Sequence, residues 1–392
     1  MDIEYIPYYR INKYLLLTIG QWPYQKKIQK FLITSFLYIA LISLLVPELA
    51  GLAKYWGDMD ITIECIPPII INFASTSLIT NCIYNMDKME LIVSKINKDW
   101  ITWSSGSELE ILHKTAAQGH KFSVVYATYV FFTTLLYLGL PVVPQLTNLI
   151  LPLNESRPRK TLFPTDYYIN VENNFYYILI HGYISTVVCA LIIVSVDTFF
   201  IVVIQHACGI YKILGFKLKT LLNNAGNDSI NNNDKLQDDI DVEIKFWVRN
   251  HRSIMKFVND ICDFFSTCFF LTLGFNMLIM SVTGVQTVMK LDQLFEAMRF
   301  GTFTICQMFH LCYLSMPCQQ LIDLSVGISD SIYDGYWYKL STGSQKLLLM
   351  IMRRSAIPCT FTAGTLYTYS IQNFAAVVQK SMSYFTVLSS IR

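Results

Sequence analysis

Glu48 and Glu64 interrupt the first two apolar stretches of the chain, and the two ionisable residues deepest within such stretches are the first places to look for chemistry. They are Asp197, between Phe175 and Gln205, and His310, between Phe300 and Ile322. An ionised side chain at bilayer depth costs about 2.5 to 3.5 kcal/mol on insertion scales, so each must have a reason to be there. For Asp197 we expect a structural, hydrogen-bonded role, with an ion or gating role as the alternative. His310 is expected to pack in the interior. Catalysis fits poorly, because the six histidines are scattered and no phosphate-cradling glycine loop, His-Glu-x-x-His or Gly-x-Ser-x-Gly occurs. Cys306, Cys312 and Cys318 are six apart. That spacing turns successive side chains by about 240° on a helix, so they do not converge as tetrahedral ligands. We expect no enzyme, no cofactor and no metal.

The elements that must position these residues are helices in a bilayer. Of 392 residues, 53% are hydrophobic and only 15% charged, against roughly a quarter charged in soluble proteins. The formal charge of +2 leaves no basic stripe to follow a nucleic-acid backbone. A bilayer core takes about 20 apolar residues as helix, and seven blocks meet that length. The spans are expected at about 31–53, 61–85, 122–146, 175–205, 264–289, 300–322 and 364–391. The third block is free of ionisable residues from Phe122 to Leu153, and Pro141 and Pro144 mark where its helix stops. The last block, from Ser355, would form a helix of roughly 55 Å if unbroken, so a break is expected near Pro358 or Gly364. The fold class is therefore all-α and transmembrane, in a single seven-helix domain over 1–392.

Lys and Arg set the orientation, because they are retained on the cytoplasmic side. The N-terminal segment and the second, fourth and sixth loops hold 22 of the 30, among them Arg10, Lys26, Lys95, Lys217, Arg249 and Arg353. The opposite side holds seven, and Lys380 lies inside the last span. The N-terminus is expected in the cytoplasm and, with an odd number of spans, the C-terminus outside. That is the reverse of a G-protein-coupled receptor. Of two glycosylation sequons, Asn154 falls in an outside loop and is the candidate, whereas Asn227 falls on the cytoplasmic side. The first 30 residues show no cleavable signal pattern, so the first span is expected to direct insertion. The ten cysteines cluster in or beside spans, which argues against a disulfide framework.

The cytoplasmic segments carry helical stripes of their own. Met89, Ile92, Ile96 and Trp100 follow the second span. Leu236, Ile240, Ile244, Trp247, Ile254, Phe257 and Ile261 precede the fifth, and Leu340, Leu347 and Ile351 precede the last. Only Asn223 to Lys235 reads as a flexible linker. These stripes imply a packed helical body beneath the membrane, serving either contact between subunits or packing within one.

The last 62 residues add a recognisable pattern. Ser331-Ile332-Tyr333-Asp334-Gly335-Tyr336-Trp337-Tyr338 precedes Lys346-Leu347-Leu348-Leu349 and Arg353-Arg354. Then come Pro358, Ala363-Gly364, Phe374 and Ser383-Tyr384-Phe385-Thr386-Val387-Leu388. This order resembles the C-terminal signature of insect odorant receptors. The related gustatory receptors carry Thr-Tyr, five apolar residues and Gln-Phe. Here Thr368-Tyr369 is followed by Ser370-Ile371-Gln372-Asn373-Phe374, which favours the odorant branch.

The resemblance implies an odorant-gated, non-selective cation channel. In it, a tuning subunit such as this one assembles into a heterotetramer with a shared olfactory co-receptor in the plasma membrane of a sensory dendrite. The four last helices would line the pore. Matching the tail places the family's apolar gate on Val387 and its outer ring on Ser390 and Ile391. Ser383 shares their helix face by spacing. The co-receptor has an amide at the position of Ser390, so this chain departs there. Lys380 lies on the same side and would repel cations from a pore; we expect it instead to snorkel or to pair at a subunit seam. The family binds volatile, hydrophobic odorants among spans two to six, in the outer half of the membrane. By depth, Ile70, Phe73, Tyr137, Tyr177, Ile184, Phe303, Thr304 and Gln307 are the ligand candidates, with helix packing the competing role for each aromatic. Membrane lipid is the remaining partner, and no nucleic acid is expected. The alternative is a seven-helix metabotropic receptor without its own pore, and a third reading is an accessory membrane protein that does not conduct.

Overall fold

The computed structural model describes residues 6–143, 161–228 and 234–390, with side chains described throughout these ranges except at 226–228, 234–237, 294–295 and 384–390. Ten α-helices run through the described residues. They are α1 (Arg10–Thr18), α2 (Lys27–Lys54), α3 (Met59–Tyr84), α4 (Met86–Thr102) and α5 (Gly106–Gly139), then α6 (Phe175–Asp228), α7 (Asp234–Met289), α8 (Leu294–Tyr333), α9 (Thr342–Ser355) and α10 (Ile371–Ser390). The sequence leads to the same all-α architecture, and boundaries are where the two differ.

Among the described residues, five helices combine the length and hydropathy needed to cross a bilayer: α2, α3, α5, α6 and α7. The other two expected spans lie in α8, 40 residues long, and α10, 20 residues long. Gln307 and His310 dilute the hydropathy of α8. At about 1.5 Å per residue, the 54 residues of α6 and the 56 of α7 are each far longer than a bilayer core. Both continue past the spans expected from sequence into the helical body. The bundle therefore has a body end, carrying α1, α4, α9 and the extensions of α6 and α7. The opposite end, here the loop end, carries the segment 161–174.

The stripes read from sequence face inward in the body. Met89, Ile92, Ile96 and Trp100 of α4 are buried, as are Ile240, Ile244, Trp247, Ile254, Phe257 and Ile261 of α7 and Leu340 and Ile351 beside and within α9. Trp103 stacks on Trp247 at 5.6 Å. Helix covers both ends of the expected linker, because α6 runs to Asp228 and α7 begins at Asp234. Leu222 and Ala225 are buried at this end of α6 and hold the helix through the polar stretch. Gly335 leaves room for Leu222, since a Cβ there would lie 2.6 Å from the Leu222 Cβ.

α6 is the central element: 83% of its most apolar window is buried, against 11% for α5. It packs on α1, α2, α3, α5, α7 and α8. Two ends have clear causes. Asp58 caps α3 by accepting from the Asp60 and Ile61 amides at 3.1 and 3.3 Å. α5 gives way at Gly139 to a 3-10 turn through Val142, where Pro141 cannot continue the α-helical ladder.

The last expected span, 364–391, is corrected at its start. The chain makes a two-stranded hairpin before α10, with β1 (Thr362–Ala363) pairing antiparallel to β2 (Tyr367–Thr368). Gly364 turns it at φ +58 and donates to the Ser266 carbonyl at 3.1 Å, so the expected break falls at a glycine that a side chain would strain. Phe361 and Tyr369, at the two ends of the hairpin, are buried against Phe200 of α6 and Phe269 of α7. Ser370 then caps α10 through the Asn373 amide at 3.1 Å. Thr368-Tyr369 of the gustatory comparison thus lies before the helix.

Candidate functional site

At the loop end α2, α3, α5, α6, α7 and α8, together with residues 162–164, enclose a cavity of about 420 Å³. That is a size suited to a small organic ligand. Leu44, Ile71, Val130, Leu136, Ile193, Phe275 and Ile279 supply apolar wall, and Tyr129, Tyr137, Phe163, Phe303 and Phe309 supply aromatic wall. Pro67 and Pro68 lie within α3 and face the cavity; each lacks the amide that would close its helical turn, so α3 is locally weakened along this wall.

The deep end of the cavity is fixed by a polar chain across four helices. Tyr126 of α5 donates to Asp197 Oδ2 of α6 at 2.5 Å. His310 Nε2 of α8 meets the same oxygen at 3.0 Å, and Asn276 Nδ2 of α7 donates to His310 Nδ1 at 2.9 Å. Because the amide donates to Nδ1, the imidazole proton belongs on Nε2, directed at the carboxylate. Asp197 is thus satisfied by hydrogen bonds. Tyr126, Asn276 and His310 line the cavity while Asp197 lies behind them. One turn along α6 from Asp197, Phe200 packs on the hairpin's Phe361, so the cavity floor is continuous with the support of α10.

The rim carries charge. Arg299 Nη2 lies 3.1 Å from Glu64 Oε2 and its Nη1 3.1 Å from Glu296 Oε2, while Lys290 Nζ lies 3.4 Å from Glu64 Oε1. Glu48 of α2 also lines the cavity but joins no such pair. Segment 161–166 closes the wall above it. Tyr137 donates to the Leu162 carbonyl at 3.2 Å, and the Asp166 amide donates to the Pro47 carbonyl at 3.0 Å. Gly51 permits this close approach, because a Cβ there would stand 2.9 Å from Thr165 Cα.

Of the eight ligand candidates, Tyr137, Phe303 and Gln307 line the cavity. Thr304 sits one bond behind, its hydroxyl 2.7 Å from that of the lining residue Thr283. Ile70 is buried elsewhere in the packing. Phe73, Tyr177 and Ile184 are 42%, 76% and 50% exposed on the outside of the bundle. Reading by depth thus reaches the level of this cavity but does not tell its lining face from the outer one. Glu48, Glu64, Tyr126, Asn276 and Arg299 were missed, although Glu48 and Glu64 are the acidic residues interrupting the first two spans.

Of the pore candidates, Lys380 and Ser383 are on the exposed face of α10. Val387 and Ser390 fall in its last turns, where only the backbone is described, and Ile391 and the sequon Asn154 lie outside the described residues. Among the described residues no three His, Cys, Asp or Glu side chains converge as a metal site. All ten cysteines are free thiols.

Residues 63–382 match the family model described as 7tm Odorant receptor. The chain belongs to the insect odorant receptor family. Within this family it is 23% identical over 150 residues to odorant receptor Or2 of Anopheles gambiae and 22% identical over 154 residues to the odorant receptor coreceptor of Drosophila melanogaster. Each stretch is 38% of this chain and spans 39% and 31% of those two relatives. The structure of the insect olfactory receptor OR5 from Machilis hrabei in complex with eugenol superposes with a TM-score of 0.76. That alignment covers 99% of this chain and 100% of the other at 14% identity, a likeness of fold. This odorant receptor is accordingly a multi-pass membrane protein of the seven-helix type.

Proposed function

We propose that this receptor is the odorant-binding subunit of a ligand-gated, non-selective cation channel, assembled with the shared olfactory co-receptor in the plasma membrane. The observation that carries the reading is the cavity: about 420 Å³, aromatic and aliphatic in most of its wall, with few polar groups. Such a site suits a volatile, hydrophobic ligand. The OR5 receptor, of the same fold, is described with eugenol bound, and one relative is a co-receptor. In this reading the loop end faces outward, the body end is cytoplasmic, and α10 contributes one wall of a shared pore. Val387 forms the apolar gate, Ser383, Ser390 and Ile391 share its face, and Lys380 sits at the seam between subunits. A ring of apolar side chains closes such a conduit by dewetting. The packed floor from Tyr126 through Asp197 and Phe200 to the hairpin links ligand to gate, because one end of it lines the cavity and the other packs on the hairpin that precedes α10.

The test is whole-cell current during an odorant panel, in cells expressing the chain alone and with an insect co-receptor. Fast cation current only in co-expressing cells supports the heteromeric channel. Current from the chain alone makes it a self-sufficient homomer. Slow second-messenger signals without direct current favour the metabotropic alternative and overturn the channel reading.

A further inference from the structure

The cavity contains one acidic group whose surroundings do not account for it. Glu48 is 1% exposed, lines the cavity, and has no hydrogen-bond partner on either carboxylate oxygen. The Asn72 amide beside it donates one hydrogen to the Leu41 carbonyl at 3.0 Å and keeps its second N–H as a neutral donor next to the carboxyl. The nearby cations are committed as well: Arg299 is held by Glu64 and Glu296, and Lys290 by Glu64. Lys54 is paired with Asp166 at 2.9 Å. His181 is engaged by Ser43 and Tyr167 at 3.0 and 2.8 Å. A buried carboxylate without a cation beside it is strongly unfavourable, so Glu48 carries its charge in the cavity only when a partner brings a cation to it.

A second observation gives the sign of that partner. The buried side-chain atoms of the cavity lining that lack a partner are all acceptors: Glu48 Oε1 and Oε2, and Asn276 Oδ1. Five of the six lining threonines, Thr133, Thr134, Thr186, Thr272 and Thr283, spend their hydroxyl protons on backbone carbonyls of their own helices, and the sixth, Thr302, is exposed. The buried part of the cavity therefore offers unused acceptors next to an aromatic wall, with the donors of Thr302 and Gln307 on its less buried side. A ligand with donors and a positive charge complements both, because an ammonium has three donors and no acceptor and is attracted to aromatic faces such as Tyr137 and Phe303.

We propose that Glu48 is the polar anchor of the ligand cavity and selects volatile amines, taken as alkylammonium ions, over alcohols of the same chain length. The ammonium pairs with the Glu48 carboxylate, and its alkyl chain lies along the apolar wall toward Tyr126 and His310. The inference rests on the cavity being the ligand site, as proposed above, and adds the chemical class of the ligand.

The experiment compares octylamine with 1-octanol in cells expressing the full chain with a co-receptor, for wild type, Glu48→Gln and Phe303→Ala. In wild type, octylamine is expected to act at concentrations about tenfold or more below octanol. Glu48→Gln should erase that preference, costing octylamine at least about tenfold more than octanol. Phe303→Ala should weaken both ligands, since it removes wall common to either. If octylamine is no better than octanol in wild type, or if Glu48→Gln shifts both alike, the amine inference is overturned while the cavity reading stands. If Phe303→Ala leaves both responses unchanged, the cavity reading itself fails. Should Glu48→Gln not reach the cell surface, the purified wild-type receptor supplies the answer. Octylamine must then raise its melting temperature more than octanol does, and an equal or smaller shift overturns the proposal.

Discussion

Asp99, in the helical body, and Glu48, in the cavity, are both buried acids, and the molecule treats them in opposite ways. Asp99 Oδ1 lies 2.5 Å from Lys95 Nζ, and Asp99 Oδ2 lies 3.2 Å from His206 Nε2. The other nitrogen of His206 is 3.2 Å from the Tyr9 hydroxyl, which accepts from Trp100 Nε1 at 3.2 Å. This closed circuit ties the N-terminal segment, α4 and α6 together. Glu48 has none of this. A buried polar group that is fully satisfied specifies packing, and one that is not is available to a ligand. The body is therefore built to hold one arrangement, whereas the cavity keeps binding capacity in reserve.

The largest effect should come from opening the closed circuit. Asp99→Ala leaves Lys95 and His206 without their anion in a buried site, and breaking such a pair by removing one partner costs about 3 kcal/mol. A clear fall in melting temperature and in surface expression is expected, with ligand selectivity unchanged in the molecules that do fold. Selectivity lost in proportion to Asp99 substitutions would mean that body and cavity are not separate in role. Next in size is Gly51→Ala. Its new Cβ would meet Thr165 backbone at 2.9 Å, and backbone cannot swing aside as a side-chain tip can, so about 1 to 3 kcal/mol of overpacking strain is expected. Because Leu162 and Phe163 on that segment are cavity wall, the dose–response curves should shift along with the melting temperature. A response unchanged in a measurably destabilised protein would detach segment 161–166 from ligand binding.

The same contrast explains what the sequence made legible. In the body, helices have one face in water, so polar residues separate the apolar stripe and its period can be read; the stripes of α4 and, from Ile240 onward, α7 are buried as read, while the side chain of Leu236 lies outside the described ones. In the membrane both the lipid-facing and the cavity-facing sides are apolar, so periodicity does not distinguish them. Tyr137 and Tyr177 were equally good candidates by depth, yet one lines the cavity and the other is 76% exposed. The hairpin before α10 was visible only as a break at Gly364, since its two-residue strands are too short for any pattern. Glu48 was legible as an exception, an acid inside a span, but its lack of a partner is a property of the folded neighbourhood.

A smaller effect belongs to the cavity floor. Tyr126→Phe removes one of the two donors to Asp197 and leaves His310 in place, so about 1.5 kcal/mol is the expected loss for a hydrogen bond to a charged group. The informative readout is efficacy against stability. If the floor only holds the helices together, all ligands and the melting temperature decline together; if it conveys ligand binding toward the hairpin, maximal current falls with little change in half-maximal concentration.

The smallest effect at neutral pH, and the last way to sharpen the comparison, is titration of the closed circuit. Burial alone would raise the Asp99 carboxyl, but the His206 hydrogen bond and charge and the neighbouring Lys95 outweigh it, leaving the group below its ordinary value of 3.8. A carboxyl depressed by folding contributes stability that is fully present above its unfolded value and is lost as pH falls through the folded one. Asp99 should therefore make the difference in melting temperature between wild type and Asp99→Asn constant from pH 8 to about pH 5 and smaller only below about pH 4. Measured on purified receptor in detergent, a difference that already shrinks as pH falls from 7 to 6 would mean that folding raises the Asp99 carboxyl instead of lowering it. The body would then carry a titratable element within the physiological range, and its contrast with the cavity would no longer be one of fixed against adaptable charge.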